Sequence, residues 1–178
     1  MKPRALAAAT IVVAAFTCAP AHALDGLSLE LGRGDDVNMG RIGVQWELKK
    51  PLLQFQNWQL GTYFDLAVGY WHQSDVNPGR NEDILDLGFT PVLRLQGNGR
   101  VGPYAEVGLG AHLLSHTTIG ETRMSTAFQF GNHVGLGYRF GARSHYDLSY
   151  RFQHLSNASI KRPNGGINFH QVRLQYWF

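Results

Sequence analysis

Cysteine is almost absent from this chain, which contains only Cys18 among its 178 residues. Lys2 and Arg4 are followed by an apolar run over residues 5–15 and by Ala21-His22-Ala23. This order predicts a secretory signal peptide over residues 1–23, cleaved from a single mature domain over residues 24–178. Because Cys18 lies in the predicted leader, we expect neither a disulfide nor a thiol nucleophile in the mature protein.

Long apolar runs and a charge excess of one sign are also missing. The mature segment has no run of about 18 apolar residues, which excludes a transmembrane helix. Without Lys2 and Arg4, the 16 basic residues fall to 14 against 13 acidic ones, a net charge of about +1. No basic stripe remains, so no nucleic-acid partner is expected. If the protein lies in a membrane, it must be a β-barrel.

Apolar and polar residues alternate with a period of two along most of the mature segment, as in strands with one apolar face. Asn98-Gly99 is a strong hairpin signal between two of these strands. The even strand count predicts an all-β, eight-stranded antiparallel up-and-down barrel. The predicted strands are Leu27–Leu31, Ile42–Leu48, Trp58–Tyr70, Leu85–Leu95, Ala105–Leu113, Phe128–Phe140, Leu148–Ser156 and Val172–Phe178.

Alternation alone leaves open which face points inward. A soluble lipocalin-like barrel turns its apolar face inward, and a membrane barrel turns it outward. Three features favour a transmembrane barrel in the outer membrane of a Gram-negative bacterium. The polar face is rich in glycine, the chain ends on Phe178 with apolar residues at alternate positions, and the charges of the polar face nearly balance. Those charged residues are Glu30, Glu47, Asp65, Asp86, Glu106, Asp147, Arg41, Arg94, Arg139, Arg151 and Arg173.

His154 and Ser156 stand two apart at the end of the seventh predicted strand. Residues at i and i+2 share a strand face with Cα atoms about 6.6 Å apart, so the imidazole can activate the hydroxyl as a general base. Longer loops of such barrels face outward, which predicts the 72–83, 115–124 and 157–167 connections at the outer end, beside this pair. Polar residues on a lipid-facing stripe are costly, which suggests a function in contact with lipopolysaccharide.

The surrounding residues resemble the PagL family of lipid A 3-O-deacylases. The resemblance is carried by His154-x-Ser156-Asn157-Ala158, by Lys161-x-Pro163-Asn164-x-Gly166 and by the closing strand. It implies an outer-membrane carboxylic ester hydrolase that removes the acyl chain at the 3 position of lipid A, with no metal or cofactor. It also implies Ser156 as nucleophile, His154 as general base, Asn164 as oxyanion-stabilising residue and Asn157 as a site-shaping neighbour. Lipopolysaccharide is then the substrate, and the family allows a homodimer.

One position departs from that family. Its best-known member has a glutamate fourteen residues after the histidine, and this chain has Asn168 there. Asn168 shares its strand face with Val172 and Tyr176, which places it on the outer face beside His154. An asparagine can orient a histidine but cannot stabilise imidazolium with charge. The hypothesis is therefore a Ser156-His154-Asn168 triad; His170 is either an additional participant or a polar residue at the membrane interface.

The competing interpretation is a non-catalytic small barrel, an OmpA- or OmpX-like structural or adhesive protein. In that case His154 and Ser156 are a polar pair at the headgroup boundary. His112 and His133 are expected to be hydrogen-bonded residues of the barrel interior rather than metal ligands. Asp35-Asp36 is expected to be a solvated turn.

Overall fold

The computed structural model describes residues 24–74 and 76–178, so the predicted signal peptide lies outside the described residues. Three strands are two-residue pieces: β3 (Leu53–Gln54), β7 (Thr118–Ile119) and β8 (Thr122–Arg123). Among the described residues no helix is long and apolar enough to cross a membrane. The eight long strands are β1 (Gly26–Gly34), β2 (Val37–Glu47), β4 (Trp58–His72), β5 (Asp83–Gly97), β6 (Gly102–Leu114), β9 (Phe128–Phe140), β10 (Tyr146–Ser156) and β11 (Ile167–Trp177).

The long strands close into a barrel. β1 pairs with β2 on one side and with β11 on the other, and all long strands pair antiparallel with their neighbours. The pairing of β2 with β4 joins the two edges of the sheet. The long strands have 9 to 15 residues, and a tilted strand needs about 9–11 to span a bilayer. The predicted eight-stranded antiparallel barrel is confirmed.

The apolar face of the sheet points outward. In β5, exposed and buried residues alternate along the strand, and Leu85, Leu87 and Phe89 are exposed while Asp86 and Arg94 are buried. The same alternation runs through β1, β6, β10 and β11. A soluble barrel would hide these side chains, so the lipocalin-like alternative is wrong and the outer wall has the apolar band of a membrane barrel.

The middle of the barrel is filled by an ion-paired network, as the balanced charges predict. Arg151 lies 2.6 Å from Glu106 and 3.1 Å from Glu30, and its guanidinium donates to the Tyr63 hydroxyl at 2.6 Å. Arg94 pairs with Glu106 at 2.9 Å and with Asp147 at 2.7 Å. Buried charges are stable only when paired and hydrogen-bonded in this way. Tyr63 is also buried at the centre of this network, a position that the pattern of charged residues does not predict.

At the end that carries His154 and Ser156, the interior is apolar rather than polar. The predicted 115–124 connection after β6 contains the β7–β8 hairpin, and its residues Ile119 and Met124 are completely buried. These two residues pack over the mouth of the barrel because inward positions near the strand ends are apolar. The cluster consists of Val37, Met39, Trp71, Ile84, Leu114, Ile119, Met124, Leu155, Ile167 and Phe169.

β11 begins at Ile167, five residues before the predicted start at Val172. Ile167 and Phe169 face the interior cluster, so the outward positions of this segment are the polar residues Asn168 and His170. Polar outward residues do not continue the apolar alternation, which is why that pattern alone places the start too late. The longer strand brings Asn168 into register with β10.

Candidate active site

His154 and Ser156 occupy the last outward positions of β10. Gln153 and Leu155 are buried in the interior, whereas His154 and Ser156 are half-buried on the outer face that also carries exposed Phe152. Strand alternation therefore places the imidazole and the hydroxyl on the same wall of the barrel. That end of the barrel also carries the 73–82 and 157–166 connections and the β7–β8 hairpin.

Asn168 lies directly across from His154. The two residues are partners in the β10–β11 register, and Asn168 Oδ1 lies 2.7 Å from His154 Nδ1. An amide oxygen can only accept, so Nδ1 carries the proton and Nε2 is left as an acceptor. The structure thus brings His154 and Asn168 together in the orientation that a general base requires.

The loop between β10 and β11 is organised by Asn157, whose side chain is fully buried. Its amide nitrogen donates to the Met124 carbonyl at 2.7 Å and to the Lys161 carbonyl at 2.9 Å. Its backbone N–H donates to Asn164 Oδ1 at 3.0 Å. Asn157 therefore shapes the loop and connects it to the chain after β8, while Asn164 is positioned through its oxygen.

Gly166 passes close to both outward residues of β10. Its φ is +65°, in the left-handed region that favours glycine. A Cβ at this position would lie 3.1 Å from His154 Cε1, 3.5 Å from Ser156 Cβ and 3.0 Å from the Leu155 carbonyl oxygen. Any other residue would press on the imidazole, so the return of the chain to β11 depends on glycine here.

Comparison with known proteins gives the family. The family model "Lipid A 3-O-deacylase (PagL)" matches residues 38–177. The chain belongs to the PagL family. All five predicted site residues, His154, Ser156, Asn157, Asn164 and Asn168, fall within the matched span.

Individual PagL proteins are similar along most of the chain. Lipid A deacylase PagL of Bordetella bronchiseptica is 34% identical over 177 residues, covering 94% of this chain and 93% of the relative. Lipid A deacylase PagL of Pseudomonas aeruginosa is 29% identical over 133 residues, covering 74% of this chain and 73% of the relative. The crystal structure of the outer membrane enzyme PagL matches with a TM-score of 0.77 at 25% identity, covering 86% of this chain and 99% of that chain.

A packed apolar cluster lies behind the candidate site. Leu155, between His154 and Ser156 in sequence, and Ile167, beside Asn168, are both completely buried in the apolar cluster at the barrel mouth. Phe169 packs against Trp71 in the same cluster, with ring centroids 5.0 Å apart. Site residues on strands that are anchored in a packed core are held more precisely than residues on loops.

His170 does not join the site. Its Nδ1 lies 2.5 Å from the Tyr150 hydroxyl, and its ring lies 5.1 Å from that of Phe152, one step down the barrel wall. It is a polar residue of the outer wall, the second of the two roles considered for it.

The two interior histidines differ in their contacts, and in the described part of the chain the predicted hydrogen bond is present at His112 but not at His133 Nε2. His112 Nδ1 lies 2.8 Å from buried Asp86. His133 is also buried, but its Nε2 has no hydrogen-bond partner within the described residues and lies 3.9 Å from Glu106. No group of three or more potential metal ligands occurs in residues 24–74 and 76–178.

Asp35 makes a contact beside this site that its sequence pattern does not predict. Asp35 and Asp36 do form an exposed turn, but Asp35 Oδ2 accepts a hydrogen bond of 2.8 Å from the backbone N–H of Asn168. The two residues are 133 positions apart, and nothing in the local pattern signals their contact. Both line an open groove with Glu121, Thr122, Arg123, Pro163, Gly165 and Gly166.

Proposed function

We propose that this protein is an outer-membrane lipid A 3-O-deacylase that hydrolyses the acyl ester at the 3 position of lipid A by serine-esterase chemistry. The observation that carries the proposal is the oriented His154–Asn168 pair next to Ser156 on the lipid-facing wall. Membership of the PagL family supplies the reaction and the substrate class. The apolar outer wall supports the outer membrane as its location.

In the acylation step, the Ser156 hydroxyl oxygen attacks the ester carbonyl carbon and its proton passes to His154 Nε2. The resulting imidazolium keeps its Nδ1–H on Asn168 Oδ1. When the tetrahedral intermediate collapses, the ester C–O bond breaks and the imidazolium returns its proton to the departing 3-hydroxyl oxygen of lipid A. Water then hydrolyses the acyl-serine by the same route and releases the 3-hydroxy fatty acid.

The developing oxyanion needs hydrogen-bond donors, and Asn164 is suited to supply one. Its side-chain oxygen accepts a hydrogen bond from the Asn157 N–H, which leaves its side-chain amide nitrogen available as a donor. The side-chain amide of Asn157 already donates to two backbone carbonyls, so Asn157 contributes by shaping the loop and not by donating to the oxyanion. One oxyanion donor is typically worth about 10²–10³ in rate.

The position of the site at the outer end of β10 suits lipopolysaccharide as the substrate. In an outer membrane the longer connections of a barrel face outward, so this end of β10 meets the outer leaflet, where lipopolysaccharide presents its ester-linked chains. The lipid thus reaches Ser156 from the side, without leaving the membrane. The homodimer that the family resemblance allows stays a prediction.

The decisive experiment compares lipid A from Gram-negative cells that express the wild type or Ser156→Ala. Mass spectrometry should show lipid A that has lost its 3-position hydroxyacyl chain with the wild type only. Both proteins should show the same heat-dependent gel mobility, which reports barrel folding. If lipid A stays fully acylated although the wild type is folded, the result would favour the non-catalytic barrel. If folded Ser156→Ala deacylates lipid A as well as the wild type does, another residue would be the nucleophile.

A further inference from the structure

The turn between β1 and β2 lies against the first residues of β11. β1 and β11 pair from Gly26 with Trp177 up to Arg33 with His170, and the same register would set Asp35 opposite Asn168. The chain turns at this point instead, with φ values of 50° at Asp35 and 63° at Asp36. In a continued ladder, a backbone carbonyl of β1 would accept the hydrogen bond from the Asn168 N–H. Here the Asp35 side-chain carboxylate accepts it instead.

The backbone of Asn168 is also confined at its carbonyl. A Cβ built on Gly34 would lie 1.6 Å from the Asn168 carbonyl oxygen and 2.7 Å from its carbonyl carbon. Glycine therefore lets the end of β1 approach Asn168 to a distance that no other residue allows. The Asn168 backbone is therefore contacted at its N–H by Asp35 and at its carbonyl by Gly34.

This contact bears on His154 through strand geometry. The Asn168 N–H points toward β1, and so away from β10, which makes His154–Asn168 a pair without backbone hydrogen bonds between its members. In an antiparallel sheet, such pairs bring their side chains closest together. Fixing the Asn168 backbone therefore fixes the distance from its side-chain oxygen to the imidazole.

We propose that Asp35 is a positioning residue for deacylation, whose carboxylate holds Asn168 and, through it, the His154 imidazole. The inference rests on the proposed function, because it assigns His154 the role of general base. A carboxylate is a stronger acceptor than a neutral oxygen. It also places a negative charge behind a triad whose third member is a neutral amide. Asp35 precedes the span matched by the family model.

The test measures kcat and KM for fatty-acid release from lipopolysaccharide in detergent micelles. Asp35→Ala should lower kcat about 10-fold to 10²-fold, the range produced by small misplacements of catalytic groups, with KM unchanged. Asp35→Asn keeps an acceptor and should restore most of the loss. Asp36→Ala removes a carboxylate from the same left-handed turn and should leave kcat within about twofold, because Asp36 belongs to the turn but not to the Asn168 contact.

A double-mutant cycle separates positioning from general stability. If Asp35 acts through the Asn168 side chain, Asp35→Ala should cost little further activity in an Asn168→Ala background. Equal kcat in Asp35→Ala and Asp36→Ala, or additive losses in the double variant, would overturn the proposal. Should Asp35→Ala not fold, the comparison of Asp35→Gly with Asp36→Gly decides, because glycine removes the carboxylate and suits the positive φ of both positions. A lower kcat for Asp35→Gly supports the proposal, and equal values overturn it.

Ser156→Ala belongs in the same assay. If the wild type releases no fatty acid, the proposed function fails, and if Ser156→Ala retains activity, its serine-esterase mechanism fails. If it is inactive while the two turn variants do not differ, only the role of Asp35 fails.

Discussion

At the residue scale, the central feature of the candidate site is one cross-strand hydrogen bond. His154 and Asn168 are neighbours because β10 and β11 form a hairpin in which these two residues are in register. The bond between Nδ1 and the amide oxygen selects the tautomer that leaves Nε2 free. Asn168 therefore orients the imidazole, but it lacks the negative charge with which an acidic residue would stabilise imidazolium.

Asn168→Ala should therefore lower kcat at least about tenfold, part of the 10²–10⁴ that a positioned general base contributes. Asn168→Asp should retain or raise kcat, because a carboxylate orients the imidazole and also stabilises imidazolium. Steady-state kinetics on purified, folded protein measures both. His170→Ala, on the same strand face, is the control and should change kcat less than about twofold. An Asn168→Ala enzyme with wild-type kcat would remove Asn168 from the site.

At the element scale, the β10–β11 connection controls the shape of the site. Asn157 anchors its start to the chain after β8, and Gly166 allows its end to pass beside His154. The loop therefore has to satisfy a hydrogen-bond pattern and a steric limit together. Leu155 and Ile167 belong to the apolar cluster, which fixes the ends of β10 and β11 on either side of the loop.

Gly166→Ala should fold but lower kcat by less than about 10²-fold, because its new Cβ would lie 3.1 Å from His154 Cε1 and push the imidazole by a few tenths of an ångström. A full displacement of 1 Å can cost about 10²-fold. The matched control is Gly79→Ala. Gly79 also has a positive φ, +85°, but nothing lies within 4 Å of the position that a Cβ would take there. It reproduces the backbone strain, about 1–2 kcal/mol, without the clash. Equal kcat values for the two variants would show that Gly166 does not protect the imidazole.

At the scale of the whole molecule, stability depends on the ion-paired interior. Arg151 contacts Glu106, Glu30 and Tyr63, all buried in the middle of the barrel. These groups have no access to bulk water when a partner is removed. The barrel thus combines an apolar outer wall with a filled polar centre.

Arg151→Met should lower the free energy of unfolding by about 3–5 kcal/mol, because it leaves buried carboxylates without their partner. Urea titration in lipid vesicles, followed by tryptophan fluorescence, measures the change. Arg80→Met is the control, since Arg80 pairs with Glu121 at an exposed position and such pairs contribute little. If the two variants unfold at the same urea concentration, the interior network does not stabilise the barrel in the proposed way.

The sequence by itself determined the barrel, its strand number and the outward direction of its apolar face. These features are local, because alternation with a period of two records which face of each strand meets lipid. It also determined the position of His154, Ser156 and Asn168 on one outer wall, since strand parity is readable from the chain. The balanced charges of residues such as Glu106 and Arg151 indicated a paired interior before any pairing was visible.

Only the tertiary structure decided how these parts meet. The early start of β11, the apolar cluster at the barrel mouth and the burial of Ile119 and Met124 depend on strands and loops far apart in sequence. The contact of Asp35 with Asn168 joins residues 133 positions apart through the closure of β1 onto β11. A local pattern carries no information on such register, because it is set by which strand ends the closed barrel brings together.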